Sequence, residues 1–165
     1  MEEVAYAQLC NKIAHEGIDV YLIRSPLYFS LLNMNAADKI ASLNEYKNLY
    51  LMGHSLGGTV AATYLSNTNY SYKGIIFLAA YSTKKLDDSL KCLSIYGSID
   101  LVLNKDDYKK NISNFPSGYK TVIITGGNHA YFGDYGHQSN DGKTLINREE
   151  QIDITTSETI NFIKQ

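Results

Sequence analysis

The chain has few of the residues that mark disulfide-rich or metal-binding proteins. Its 165 residues include two cysteines, two prolines and no tryptophan. The cysteines, Cys10 and Cys92, form no metal or redox motif and are too few for a disulfide framework. Both lie in apolar periodic segments, so we expect two reduced thiols in the core of a cytosolic protein. The lack of tryptophan excludes no class of function.

The sequence also lacks long apolar runs and basic runs. No apolar stretch approaches the length that spans a bilayer, and the acidic start, Met1–Val4, has no apolar core of a signal peptide. A net charge of -2 without a Lys/Arg-rich run gives no electrostatic reason to expect nucleic acid. We therefore expect one globular domain over residues 1–165, cytoplasmic, with neither a membrane nor a nucleic-acid partner.

The most informative segment is Gly53–Gly58, which reads GHSLGG. It follows an apolar run and precedes a helical stretch rich in small residues, which is the setting of a G-x-S-x-G nucleophile elbow. In such an elbow the serine, here Ser55, projects from a tight strand-to-helix turn, and the glycines leave room for that turn. The N–H of Leu56, the next residue, is then placed to bind a developing oxyanion.

Apolar runs alternate with helical patterns along the whole chain. Runs buried on both faces, such as GIIFLAA at 74–80, are typical of parallel sheets, and the alternation predicts a doubly wound α/β domain. The apolar loop from Pro26 to Leu32 is compatible with an acyl pocket and equally with simple core packing. Strands are predicted at 18–23, 48–52, 74–80, 90–96 and 120–125, and helices at 4–16, 35–46 (with Asn35 as N-cap), after the elbow, at 104–113 and at 148–164.

Three reactive side chains fall just after predicted strands, where open α/β sheets bind their ligands. Ser55 would be a nucleophile, and His129 would take its proton and return it to the leaving group. Asp100 would hold the imidazole in the correct tautomer and stabilise the imidazolium. The residues therefore predict a catalytic triad of Ser55, Asp100 and His129, with Leu56 as oxyanion donor.

Other residues near these three leave alternatives open. Asp134 and Asp141 share the loop of His129 and could orient its ring in place of Asp100. His129, Asp134 and His137 could be imagined as metal ligands, although they lack the ordered spacing of a known site. His54 is expected to point the other way along the turn from Ser55, and to pack or hydrogen-bond nearby rather than act as the base.

With these residues in place, the chain resembles small bacterial α/β-hydrolases related to carboxymethylenebutenolidase (dienelactone hydrolase). The resemblance covers nearly the whole chain and is carried by Gly53–Gly58, by Leu93–Asp100 and by Gly126–Gly136 (GGNHAYFGDYG). It implies an α/β-hydrolase-like three-layer sandwich with a mainly parallel sheet of about five strands. It also implies cofactor-free hydrolysis of a small carboxylic ester or lactone by the same triad.

The chain departs from that family in two ways. Dienelactone hydrolases use cysteine as nucleophile, whereas this chain has Ser55. Related proteins also carry a central strand and a glycine-containing loop before the first helix, and this loop supplies a second oxyanion donor. We expect that strand, which would lie between 18–23 and 48–52, to be missing here. The chain would then be part of a longer protein, or its sheet would be completed by rearrangement or by self-association.

Three functions follow from these patterns. The first is a serine hydrolase that acts on small esters or lactones through an acyl-enzyme. The second is a non-catalytic or impaired relative that acts as a binding module, because losing one oxyanion donor costs about 100- to 1,000-fold in turnover. The third is an acyltransferase, which would form product only with an added alcohol or amine acceptor.

Overall fold

The computed structural model describes residues 3–23, 37–43 and 45–165. In this part of the chain, helices alternate with strands over most of the sequence, and three short 3-10 turns accompany them. The helices are α1 (Ala7–Ala14), α2 (Asp38–Ala41), α3 (Leu56–Leu65), α4 (Lys105–Asn111) and α5 (Arg148–Lys164), and the 3-10 turns are Glu3–Tyr6, Ile112–Asn114 and Ala130–Phe132. The strands are β1 (Tyr50–His54), β2 (Gly74–Leu78), β3 (Lys91–Gly97) and β4 (Lys120–Ile124).

The four strands form a single parallel sheet in the order β1-β2-β3-β4. Every residue of β2 is buried, as its continuous apolar sequence predicts for an inner strand covered on both faces. All carboxyl ends of the strands lie along one edge of the sheet, because each neighbouring pair is parallel. The predicted parallel α/β architecture is confirmed.

The sheet is the middle of three layers, because β2 sends alternate side chains into two separate cores. Ile75 and Phe77 pack with Ala62 of α3 and Tyr108 of α4. On the opposite face, Ile76 and Leu78 belong to a core that also contains side chains of α1 and α5. Burial of these apolar side chains at about 25 cal/mol per Å² is the main force that holds the helices on the sheet.

The predicted strand at 18–23 is wrong. These residues have no ladder partner among the described strands, and the side chains of Val20, Tyr21, Leu22 and Ile23 are exposed. An apolar sequence favours a strand only when a neighbouring edge supplies hydrogen bonds and a face to pack against. The sheet therefore has four strands in the described part of the chain, and β1 is paired there with β2 alone. Pairing of that edge by a second copy stays a prediction.

The other predicted elements match within a few residues, except near α2. The predicted helix at 35–46 is confirmed only as the short α2, while Asn35 and the loop from Pro26 to Leu32 lie outside the described residues. The start of α5 is fixed by a capping box, in which Asn147 and Glu150 exchange side-chain and backbone hydrogen bonds. No described helix is both long and apolar enough to cross a membrane.

Both cysteines carry free thiols, as their isolated positions predict. Cys92 is buried in β3, and burial raises the pKa of its thiol to about 12. Cys10 is half-buried in α1, and burial raises its pKa as well. Neither thiol therefore has the thiolate character of a reactive cysteine.

The close approach of α3 to β1 leads to a testable prediction about Gly58. A Cβ atom at Gly58 would lie 2.5 Å from the Cβ of Ala80 and 2.8 Å from the backbone oxygen of Gly53. Gly58→Ala gains about 1 kcal/mol of helix propensity, but the clash is with a backbone oxygen and with the Cβ of Ala80, neither of which can turn away, so it should exceed this gain. We expect a net loss of about 1–3 kcal/mol in the free energy of unfolding, measured by urea titration.

Gly118→Ala is the matched control for that substitution. A Cβ atom at Gly118 meets nothing within 4 Å, and its φ lies outside the left-handed region. The control should be unchanged or more stable by about 0.4–1 kcal/mol. Equal free energies of unfolding for the two variants would contradict the tight packing of α3 on the sheet.

Candidate active site

Ser55 lies at the junction of β1 and α3 in a strained backbone conformation. Its φ is 53° and its ψ is -128°, a region that residues with a side chain rarely adopt. The turn is fixed by a hydrogen bond from the Ser55 N–H to the oxygen of Leu78, 2.9 Å long, and by close packing of two glycines. A Cβ atom at Gly53 would lie 2.5 Å from the Cα atom of Gly58. The segment therefore forms the tight strand-to-helix turn that the sequence predicts.

Leu56 is the first residue of α3, directly after Ser55. The first N–H groups of a helix have no acceptor within the helix, and they carry the positive end of its dipole. The oxygen of Ser55 already accepts hydrogen bonds from the N–H groups of Gly58 and Thr59, at 3.0 and 3.4 Å. The N–H of Leu56 is the first of α3 and follows Ser55 directly in the chain, which is the position expected for an oxyanion donor. That role stays a prediction.

Asp100 and His129 form a buried pair. The Nδ1 atom of His129 lies 2.9 Å from Oδ2 of Asp100, and the two side chains are 2% and 0% exposed. The other carboxylate oxygen, Oδ1, accepts the N–H groups of Val102 and Leu103 at 2.9 and 2.8 Å. Since Nδ1 is then the protonated nitrogen facing the carboxylate, Nε2 of His129 is left as the acceptor.

Backbone hydrogen bonds hold the loops of Asp100 and His129 together where β3 and β4 end. Ser98 donates its N–H to the oxygen of Ile124 (2.9 Å), and Ile99 donates to the oxygen of Gly127 (3.0 Å). The approach is so close that a Cβ atom at Gly97 would lie 2.2 Å from that same Gly127 oxygen. The parallel pairing of β3 with β4 therefore brings Asp100 beside His129.

Sequence reasoning missed two polar residues that fix the His129 loop, Asn128 and Gln151. Both are buried, and they exchange two hydrogen bonds: the Asn128 N–H donates to Oε1 of Gln151 (3.0 Å), and Nε2 of Gln151 donates to the Asn128 oxygen (2.8 Å). The Asn128 side chain also donates to the oxygen of Gly142 and accepts the N–H of Tyr131. The sequence feature that could have revealed this contact is Gln151, a polar side chain on the buried face of α5.

The two other aspartates of the His129 loop make different contacts. Asp141 accepts the N–H of Ala130 at 2.9 Å and that of Leu101 at 3.4 Å, so it binds backbone next to both Asp100 and His129. Asp134 forms an ion pair with Arg148. The described residues contain no group of three or more side chains suited to hold a metal ion. Among the three aspartates, Asp100 is thus the one that the structure places on the imidazole of His129.

Comparison with known proteins identifies the family. A family model described as "Alpha/beta hydrolase family" matches residues 1–153. The chain belongs to the alpha/beta hydrolase family. No curated protein sequence matches it.

Solved structures of alpha/beta hydrolases share the fold. A predicted CIB-like hydrolase from Thermoplasma acidophilum is 22% identical with a TM-score of 0.62, over 96% of this chain and 80% of that protein. MGS-M1, an alpha/beta hydrolase enzyme from a Medee basin deep-sea metagenome, is 13% identical with a TM-score of 0.63, over 100% and 79% of the two chains. At these identities the likeness establishes the fold alone.

His54, which precedes Ser55 in this alpha/beta hydrolase, lies against the candidate base. Its ring centroid is 4.6 Å from that of His129, and its Nδ1 atom is 2.8 Å from the hydroxyl of Tyr6. Burial, and next the proximity of His129, hold the pKa of His54 well below its usual value. His54 packs and hydrogen-bonds as expected, but its ring is directed to His129 rather than away from the site.

The buried, neutral His54 predicts how stability depends on pH. The unfolded chain protonates His54 near pH 6.5, whereas the folded chain does so only at a much lower pH. Between these two pH values the unfolded state binds more protons than the folded state. The neutral His54 therefore stabilises the fold fully above about pH 6.5, and the free energy of unfolding decreases as the pH falls below that value, by up to about 1.4 kcal/mol per pH unit. His54→Asn should remove this part of the slope when urea unfolding is compared at neutral and mildly acidic pH. Identical slopes for both proteins would contradict the prediction.

Proposed function

We propose that the chain is a serine hydrolase that cleaves small carboxylic esters or lactones through an acyl-enzyme. The observation that carries this proposal is the 2.9 Å contact between Asp100 and His129, buried on the edge of the sheet where β1 leads into the strained turn at Ser55. Serine acyl transfer requires a buried carboxylate–imidazole pair together with a serine in a strained turn, and both lie at this edge of the sheet. Membership in the alpha/beta hydrolase family supports the same chemistry.

In the first half of the reaction, Nε2 of His129 accepts the proton of the Ser55 hydroxyl as Oγ bonds to the carbonyl carbon of the substrate. The resulting tetrahedral oxyanion accepts the N–H of Leu56, at the positive end of α3. Asp100 stabilises the imidazolium through Nδ1. The C–O bond of the ester then breaks, and His129 gives its proton to the leaving alcohol.

In the second half, water attacks the acyl group on Ser55. His129 takes a proton from this water, and the C–Oγ bond breaks as the same proton returns to Oγ. The products are a carboxylic acid and the free serine, so water is the only co-reactant. Small esters or lactones are proposed because the three quoted segments resemble carboxymethylenebutenolidase relatives, although Ser55 replaces the cysteine of dienelactone hydrolases.

The second candidate is a non-catalytic binding module with the same fold. It is favoured by the outer edge of β1, which has no strand beside it in the described residues. That edge is where the resemblance places the missing central strand, whose following loop supplies a second oxyanion donor. Without that donor, turnover should fall about 100- to 1,000-fold even with the Asp100–His129 pair intact.

A fluorophosphonate probe tests whether Ser55 is the nucleophile. The folded protein should be labelled on Ser55, and Ser55→Ala should abolish both labelling and hydrolysis of short p-nitrophenyl esters, because Ser55 carries the one hydroxyl of the elbow Gly53–Gly58. Ser157→Ala, which changes an exposed serine of α5, is the matched control and should leave both rates unchanged. Labelling that persists in Ser55→Ala would overturn the proposal.

Asp100→Asn separates the orienting role of Asp100 from its structural role. The asparagine can keep Oδ1 on the N–H groups of Val102 and Leu103 while it replaces the atom that faces His129 by an NH₂ group. His129 must then change tautomer to accept from that NH₂ group, so Nε2 no longer accepts a proton. Labelling and turnover should fall about 10⁴-fold.

The matched comparison is the melting temperature of the same variant. We expect Asp100→Asn to melt within a few degrees of the original protein, since its backbone contacts are kept. Asp141→Asn should lower the labelling rate far less, because Asp141 binds the N–H groups of Ala130 and Leu101 and not the imidazole. Equal effects of the two substitutions would mean that Asp100 has no special role.

A further inference from the structure

His54 makes contacts that exceed those of a residue that only fills the core. It is 6% exposed, and its Nδ1 atom lies 2.8 Å from the hydroxyl of Tyr6 and 3.3 Å from that of Tyr135. Its ring also packs against His129 and Phe132, with centroids 4.6 and 5.5 Å apart. One imidazole thus joins the 3-10 turn before α1, the end of β1 and the loop that carries His129.

The two phenols determine which nitrogen of His54 carries the proton. Burial raises the pKa of both Tyr6 and Tyr135, so both hydroxyls stay protonated and able to donate. The two hydroxyls also hydrogen-bond to each other. A neutral imidazole nitrogen has a single lone pair, so we assign the Tyr6 hydroxyl, 2.8 Å away, as the donor to Nδ1 and place the proton of His54 on Nε2. The Nε2 atom is buried and makes no well-formed hydrogen bond, while the backbone of His129 acts on the His54 ring and partly opposes the lowering of its pKa by burial.

Core packing alone does not explain a histidine here, because a buried ring nitrogen without a well-formed hydrogen bond lowers the stability of the fold. A buried donor without an acceptor is unfavourable, and an aromatic or aliphatic side chain of similar size would avoid it. What histidine supplies, and phenylalanine or leucine does not, is a ring nitrogen that hydrogen-bonds with the tyrosine hydroxyls. The hydrogen bonds to Nδ1 are therefore the feature that requires histidine at this position.

We propose that His54 is a positioning residue that fixes the nucleophile relative to the base. It is joined covalently to Ser55, it packs on His129, and its Nδ1 atom binds Tyr135, six residues after His129 in the same loop. Movement of the loop away from the elbow must break these contacts. This inference rests on the proposed function, since it assigns His54 to the geometry of the reaction between Ser55 and His129.

We call the contacts of Tyr6 and Tyr135 with His54 the tyrosine–histidine tie. A backbone hydrogen bond from the N–H of Asp134 to the oxygen of Ala5, 2.7 Å long, holds the same turn against the same loop. The titratable groups that face His54 are the two phenols and His129, with Asp100 on the far side of His129. Asp100 and Asp141 also act on Tyr135 and raise its pKa.

The test removes the two hydroxyls and keeps the rings. We expect the double variant Tyr6→Phe/Tyr135→Phe to react with a fluorophosphonate about 10- to 100-fold more slowly, because a small misplacement of the base relative to the nucleophile slows the chemical step. With a short p-nitrophenyl ester, kcat should fall while KM changes little. Tyr6→Phe alone, which removes the 2.8 Å hydrogen bond, should give a smaller change in the same direction.

Tyr108→Phe is the matched control, since it removes a buried hydroxyl from the opposite core. The Tyr108 hydroxyl lies 2.8 Å from Oγ of Ser94, on the face of the sheet covered by α3 and α4. It should lower the melting temperature as the double variant does, yet leave the labelling rate unchanged. If the double variant and Tyr108→Phe lose the same stability and also label at the same rate, the proposal is overturned.

A second measurement tests the tie even if Ser55 does not react at all. The nitrogen-15 spectrum of the unaltered protein should show His54 with an unprotonated Nδ1, and the double variant should exchange the Nδ1–H proton of His129 with water faster. A protonated Nδ1 on His54, or an unchanged exchange rate at His129, would overturn the proposal. If the unaltered protein is not labelled, the proposed function is contradicted. The protonation of His54 and the exchange rate at His129 then test the positioning role of His54 separately.

Discussion

The hydrogen bond between Asp100 and His129 is the interaction on which the account of this site depends. It joins two buried groups across the ends of β3 and β4, so it forms only when those strands are in register. Both oxygens of Asp100 are occupied, one by His129 and the other by backbone N–H groups. The carboxylate therefore has little freedom to turn, and it fixes the tautomer of the imidazole that it holds. A buried carboxylate in this position is stabilised by its hydrogen bonds rather than by solvent.

The strained turn at Ser55 is stabilised by packing elsewhere. A positive φ at a serine costs about 1–3 kcal/mol and persists only when its surroundings determine it. Here the surroundings are the contact of Gly53 with Gly58, too close for any Cβ atom, and the burial of β2 beneath α3. Ser55, His129 and the contacts of His54 with Tyr6 and Tyr135 thus all rely on the same edge of one parallel sheet.

Local sequence predicted most of this arrangement but not its long-range parts. The elbow, the strands β1 to β4 and α5 were predictable because their apolar runs, glycines and capping residues act locally. The strand at 18–23 was wrong because its formation depends on a neighbouring strand, which no local pattern reveals. The sequence favoured Asp100 but left Asp134 and Asp141 as alternatives, since the choice depends on the pairing of β3 with β4. Asn128, Gln151 and the contacts of His54 with Tyr6 and Tyr135 were missed because their partners are distant in the chain.

A crystal structure of the protein after reaction with a small fluorophosphonate would show whether Ser55, His129 and Asp100 act together. We expect a phosphorus atom bonded to Oγ of Ser55, with one phosphoryl oxygen within hydrogen-bond distance of the Leu56 N–H. The Nε2 atom of His129 should face the leaving-group position while Nδ1 remains on Asp100. An adduct on another residue, or an adduct on Ser55 with His129 turned away and its hydrogen bond to Asp100 broken, would rule out catalysis by these three residues.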